Sequence, residues 1–161
     1  MLGIILLIKI IILGIMKCVQ LRSREFNSTH SYSFEASKKD KVECIDEKII
    51  LVNNKPSFFY YEKRLTPTLK LLQEKELLKK IVVDMGAVKF LVGGADLMRP
   101  GIKEIDPAIK KKDFVVIVDM NNKKPLIVGV ALFDAEEMQN MNSGKVVKNI
   151  HYVGDAIWRF V

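Results

Sequence analysis

The sequence predicts an α+β fold: a small N-terminal domain of sheet and helix, followed by a closed or half-closed β-barrel with two short helices at its ends. Three observations carry that reading. The short apolar runs VECI at 42–45, KIILV at 48–52 and SFFYY at 57–61 follow one another across polar connections, the spacing of an antiparallel sheet. FVVIVDM at 114–120 and PLIVGVALF at 125–133 are joined by Asn121-Asn122-Lys123-Lys124, which is too short for a parallel crossover. Helix-start chemistry stands at Thr66-Pro67, at Asp84, and at Asp134 with Glu137 three residues on.

The chain opens on MLGIILLIKIIILGIM, residues 1–16, apolar except for Lys9. A spanning helix needs about 20 apolar residues, and a lysine near its centre costs about 2.5–3.5 kcal/mol to insert, so a membrane role is not expected. No basic region precedes the run and no small-residue cleavage site follows it, which disfavours a signal peptide. The hydrophobic stretch 1–16 is read instead as an extension whose first fifteen residues lie upstream of a true start at Met16. KCVQLRSRE at 17–25 is expected to be a strand, and residues 26–41 a loop or short helix; Asn27-Ser28-Thr29 fits a glycosylation sequon, a pattern common by chance.

After the three apolar runs, with Asn53 to Pro56 as the second turn, Thr66 is expected to cap a helix that has Pro67 at its first position. Leu69, Leu72 and Leu77 give it an apolar stripe through about Lys80. IVVD at 81–84 is a strand, Asp84 caps a helix over 85–92, and Gly93-Gly94 stops it. A strand near 102–105, a break at Asp106-Pro107 and the 114–133 hairpin come next. A helix follows from Asp134 to about Asn142, and closing strands run from Gly144 through Val147 and Ile157. The expected domains are therefore the extension 1–16, an N-terminal domain 17–80 and a barrel domain 81–161.

The formal charge of +7, from 26 Lys plus Arg against 19 Asp plus Glu, points to an anionic partner, nucleic acid or an anionic lipid surface. Residues 1–80 hold 15 basic and 9 acidic side chains and residues 81–161 hold 11 and 10, so binding in the second half must rest on locally placed groups. Cys18 and Cys44 have no C-x-x-C partner; they are read as small buried hydrophobes in a reducing compartment. With His30 and His151 the only histidines and no carboxylate cluster in view, no metal or cofactor is expected.

The most informative stretch is GGADLMRPGI, residues 93–102, with three glycines and a proline in ten positions. It follows a helix and lacks both the G-x-G-x-x-G spacing and a P-loop lysine, so dinucleotide and nucleoside triphosphate readings lose their context. Asp96 has no second acid, histidine or nucleophile at a spacing suited to acid–base chemistry and is read as an acceptor for the loop's own N–H groups. Lys89 and Arg99 are placed to reach phosphate oxygens, with the arginine fork the better match. Lys145 and Lys148 alternate on the closing strand, and Lys110 to Lys112 read as a solvated loop. Phe90 and Trp158 are expected in the core, and His151 as a satisfied structural histidine.

DMGAVKFLVGGADLMRPGI, taken with VGVALF and GKVVKN in that order, resembles a PUA domain, the RNA-binding module named after pseudouridine synthases and archaeosine transglycosylases. CVQLRS, VNNKPSFFYY, TPTLKLLQ and NIHYVGDAIW extend the likeness over roughly 17–161 to the malignant T-cell amplified sequence family and its archaeal relatives. One departure is that residues 26–41 are shorter and more polar than the helical segment which members of that family carry there. The resemblance implies a PUA-type β pseudobarrel with two short helices and a cytoplasmic, non-enzymatic RNA-binding protein of translation. It implies tRNA or rRNA contact on the small ribosomal subunit in initiation or recycling, and a protein partner resembling density-regulated protein. The implied RNA-binding set is Lys89, Gly93, Gly94, Ala95, Asp96, Arg99, Pro100, Gly101, Lys145 and Lys148, with no catalytic residue. The alternative is an accessory member of an RNA-modification system, for which the segment ahead of the PUA part offers no nucleophile–base pair or cofactor loop.

Overall fold

The structure, a computed structural model, describes residues 40–46 and 48–160. The expectations for the extension, for the strand at 17–25, for the polar stretch up to residue 39, and for the sequon and Cys18 lie outside the described residues. Two compact units part between Thr66 and Pro67.

The first holds a four-stranded sheet in the order β1-β2-β3-β4, from β1 (Val42–Ile45), β2 (Ile49–Val52), β3 (Lys55–Tyr61) and β4 (Arg64–Pro67). β1 with β2 and β2 with β3 are antiparallel, as expected. Asn53 and Asn54 both take positive φ, 53° and 64°, so the β2–β3 turn is a tight two-residue hairpin of the kind asparagine favours. Cys44, on β1, is exposed, against the expectation of a buried cysteine.

Two local expectations need correction. Thr66 is not a helix cap: β4 runs through it, its hydroxyl donates to the Arg64 carbonyl, and Pro67 closes the strand. The cap is Thr68, whose side chain accepts from Leu71 N–H to start α1 (Leu69–Glu74). That helix stops at Glu74 instead of about Lys80, since Lys79 and Lys80 open β5 (Lys79–Val83) in parallel register with Val115 and Val116. α1 packs on β9 (Pro125–Ala131) of the second unit.

The second unit is a six-stranded sheet in the order β6-β10-β9-β8-β5-β7, built with α2 (Met85–Leu91), β6 (Leu97–Met98), a single 3-10 turn (Arg99–Gly101), β7 (Ile102–Ile105), β8 (Phe114–Asp119), β9 (Pro125–Ala131), α3 (Ala135–Asn140), β10 (Lys145–Tyr152) and α4 (Ala156–Arg159). Ile157 lies in α4 and not in a closing strand; Asp155 caps that helix through Trp158 N–H. All pairings are antiparallel except β5 with β8, whose connection is long enough for a crossover. The sheet curls into a half-barrel, and Ile81, Val83, Leu91, Leu97, Ile117, Ile127 and Val147 fill its interior. Asp134 and Glu137 form the expected capping box of α3. At Gly129 a side chain is excluded by close approach: a Cβ there would lie 2.3 Å from Val147 Cγ1 and 2.8 Å from the Lys148 carbonyl oxygen.

His151 is fully buried and satisfied at both nitrogens, as expected: Nε2 accepts from Leu69 N–H at 3.1 Å and Nδ1 lies 2.8 Å from the Asp155 carboxylate. Among the described residues no helix is long and apolar enough to cross a membrane, and no group of residues is arranged to hold a metal ion.

Candidate nucleic-acid interface

α2 begins at Asp84, whose carboxylate accepts from Ala87 N–H at 2.9 Å. Its core face is Ala87, Val88 and Leu91, at spacings of three and four. The remaining face carries Met85, Lys89 and Phe90 into solvent, Met85 48% exposed and Phe90 67% exposed. This overturns the expectation that Phe90 is core; the periodicity of the short helix already leaves it off the buried stripe. Trp158 is partly buried.

The helix ends in a Schellman-type stop. Gly94 takes φ of +90°, its N–H donates to Leu91 O, and Ala95 N–H reaches back to Phe90 O at 3.0 Å. Gly93 N–H also donates to Phe90 O, so the backbone donors of Gly93, Gly94 and Ala95 are spent inside the protein and do not face a ligand. The 3-10 turn doubles back against α2: Asp84 N–H donates to Gly101 O, and a Cβ at Gly101 would meet Ala87 Cβ at 2.9 Å. Gly101 is thus required by close approach.

Between those ends the loop is fastened to β10 and α3. Asp96 does not hold the loop's own N–H groups. Its Oδ1 accepts from Asn149 N–H at 2.8 Å, and its Oδ2 from Lys145 Nζ at 3.1 Å. Asn149, which sequence reasoning did not single out, donates its side-chain amide to both Leu91 O (3.2 Å) and Ala95 O (3.0 Å). Arg99 is half-buried, with Nε donating to Met138 O and Nη2 to Gln139 O at the C-terminal end of α3, and its backbone N–H donating to Gly144 O. A guanidinium there meets the carbonyls that a helix end leaves unpaired. Arg99 therefore binds the loop to α3 first.

Of the ten expected residues, the structure brings Gly93, Gly94, Ala95, Asp96, Arg99, Pro100 and Gly101 onto one folded loop. Lys145 is fastened to that loop through Asp96, while Lys148 is exposed further along β10 and Lys89 on the open face of α2. Met98, on β6, is also 50% exposed. Lys110 to Lys112 are exposed as expected, and the Lys111 backbone is tied to Asp134.

The PUA-domain family model matches residues 79–153, and the model of a domain of unknown function, DUF1947, matches residues 32–75. An uncharacterized protein of Methanocaldococcus jannaschii is 50% identical over 128 residues, 76% of this chain and 78% of that one. Translation machinery-associated protein 20 of Saccharomyces cerevisiae is 34% identical over 134 residues, covering 76% and 74%. Malignant T-cell-amplified sequence 2 of Homo sapiens is 35% identical over 132 residues, covering 75% and 72%. Among solved structures, a conserved PUA domain protein from Thermoplasma acidophilum superposes with a TM-score of 0.69 at 27% identity, covering 80% of this chain and 85% of that one.

Proposed function

Because the chain belongs to the family of translation machinery-associated protein 20 and the malignant T-cell-amplified sequence proteins, with a PUA domain in its second half, we propose that it is a non-enzymatic RNA-binding protein of translation. In this reading it works in the cytoplasm on the small ribosomal subunit, contacting tRNA or rRNA in initiation or recycling, and it takes a protein partner resembling density-regulated protein. The observation that carries the RNA surface is Phe90, 67% exposed on α2 beside Lys89 and next to a loop held from both sides.

Solvent-facing aromatic and methionine side chains next to lysines suit unpaired bases, which offer a π-face to stack and a phosphate to pair. Lys89, Lys145 and Lys148 supply the phosphate contacts. Gly93, Gly94, Ala95, Asp96, Pro100 and Gly101 form the loop against which the strand lies, and Arg99 positions it. Fluorescence anisotropy with tRNA and small-subunit rRNA fragments across a salt series tests this. Affinity should fall with salt, and Phe90→Ala should weaken binding by about 1–3 kcal/mol, the range for base–aromatic stacking, without lowering stability. Failure of the wild-type protein to bind either RNA at low salt refutes the proposal.

A further inference from the structure

Asp96 is an odd neighbour for a phosphate-binding site: it sets a negative charge beside one of the lysines meant to attract RNA. An ordinary surface carboxylate turns away when a phosphate arrives. This one is held, because Oδ1 is fixed by the Asn149 backbone N–H of β10 at 2.8 Å, and Asn149 is itself clamped to Leu91 O and Ala95 O. With Oδ1 fixed, Oδ2 must stay where Lys145 Nζ now meets it at 3.1 Å, in a pair with side chains 33% and 49% exposed.

We propose that Asp96 is a specificity-determining residue for RNA, selecting against bare phosphate and in favour of an unpaired base that carries an exocyclic amino group. The inference rests on the RNA-binding reading above. Two consequences of the geometry lead to it. A phosphate that recruits Lys145 has to take it from Asp96, which weakens the sequence-independent attraction that a free lysine would supply. Once Lys145 has turned to the phosphate, Oδ2 is an acceptor with no proton of its own, and the N4 amino group of cytosine is the donor that suits a carboxylate. Uracil presents O4, an acceptor, at the equivalent place and is repelled.

Asp96→Asn separates these roles because its amide oxygen keeps the Asn149 N–H bond while an NH2 donor replaces Oδ2. Binding of oligocytidylate and oligouridylate of equal length is measured by anisotropy across a salt series, with melting temperatures of both proteins. The wild-type protein should prefer oligocytidylate by about fivefold, a modest value for one partly exposed base contact. Asp96→Asn should reduce that ratio to one or reverse it, and should steepen the salt slope for oligouridylate by up to about 0.7, one phosphate on a single strand. Lys145→Met, which leaves Asp96 in place, should keep the preference while making the slope shallower. Equal wild-type affinity for the two oligomers, an unchanged ratio in Asp96→Asn, or loss of the ratio in Lys145→Met overturns the assignment. If the wild-type protein binds tRNA but shows no base preference, this inference alone falls; if it binds no RNA, both readings fall.

Discussion

Replacing Gly129 with alanine tests how the fold sets the site. Gly129 lies in the middle of β9, opposite Val115 on β8 and Asn149 on β10, just before the register shift between Asn149 and His151. The added methyl would sit 2.3 Å from Val147 Cγ1, a fully buried β-branched side chain, and 2.8 Å from the Lys148 carbonyl oxygen, which is backbone and cannot rotate away. Overpacking of this kind costs about 1–3 kcal/mol, and the backbone clash argues for the upper end, ~3 kcal/mol. For a unit of this size each kcal/mol lowers Tm by about 4–8 °C, so a fall of roughly 12–24 °C is expected. Urea unfolding followed by circular dichroism should show a lower midpoint at unchanged m.

Gly154→Ala is the matched control: Gly154 has φ of +99° and no atom within 4 Å of its prospective Cβ, so it should lose only about 1 kcal/mol, from backbone strain. A Gly129→Ala penalty below about 0.5 kcal/mol would refute the packing argument.

Three further outcomes follow from the same contacts. Arg99→Ala should lower stability by about 1 kcal/mol, because the C-terminal carbonyls of α3 lose a charged donor, and should weaken RNA binding as well; Lys89→Ala should weaken binding and lower the salt slope by about 0.7–0.9 while changing stability by less than about 0.5 kcal/mol, and parallel urea and anisotropy titrations separate the two. Burial pushes the Asp155 carboxyl up, but the hydrogen bonds from His151, Trp158 N–H and Tyr152 N–H outweigh it and hold the group below the ordinary carboxylate value. A lowered folded pKa means that this stabilisation is complete above about pH 4 and is lost as pH falls through the folded value, so Asp155→Asn should show a lower plateau at pH 7 and a flatter acid limb in urea midpoints taken across pH.

What was legible in the sequence is what local chemistry decides. Asp84, Asp134 with Glu137, the Asn53-Asn54 turn and the 114–131 hairpin all stand where side-chain type and spacing place them. β4 was not legible, because its turn uses Glu62 and Lys63 at positive φ, 48° and 64°, a conformation neither residue advertises. The helix start falls two residues past the expected one because Thr66 and Thr68 offer the same hydroxyl and both are buried, and the pairing of β4 through Thr66 leaves Thr68 to cap the helix. The helix end was overrun because Lys79 looks like a last-turn cation, whereas Asp113 and the Ala108 carbonyl hold its ammonium, at 2.6 Å and 2.7 Å, at the head of a strand. In the site, the glycine loop and its flanking lysines were readable as a pattern. The roles of Asp96, Arg99 and Asn149 were not, since each is defined by a partner some 40 to 60 residues away in sequence.

Asn149 shows that the loop's rigidity has a cost the fold accepts. Its amide nitrogen serves Leu91 O and Ala95 O together, which leaves Oδ1 buried without a hydrogen-bond partner among the described residues. An unsatisfied buried acceptor costs about 1–3 kcal/mol, and an apolar side chain at this position would avoid it. The offset appears on binding. A free loop of this length would lose about 1–2 kcal/mol of conformational entropy for each backbone residue ordered by RNA. With α2 capped at both ends, Arg99 on α3, and Asp96 and Asn149 on β10, that ordering is already complete before RNA arrives. In the proposed binding mode, Phe90, Met85, Lys89 and Met98 would meet a base with no further ordering of the backbone, and only their side chains would remain to be fixed.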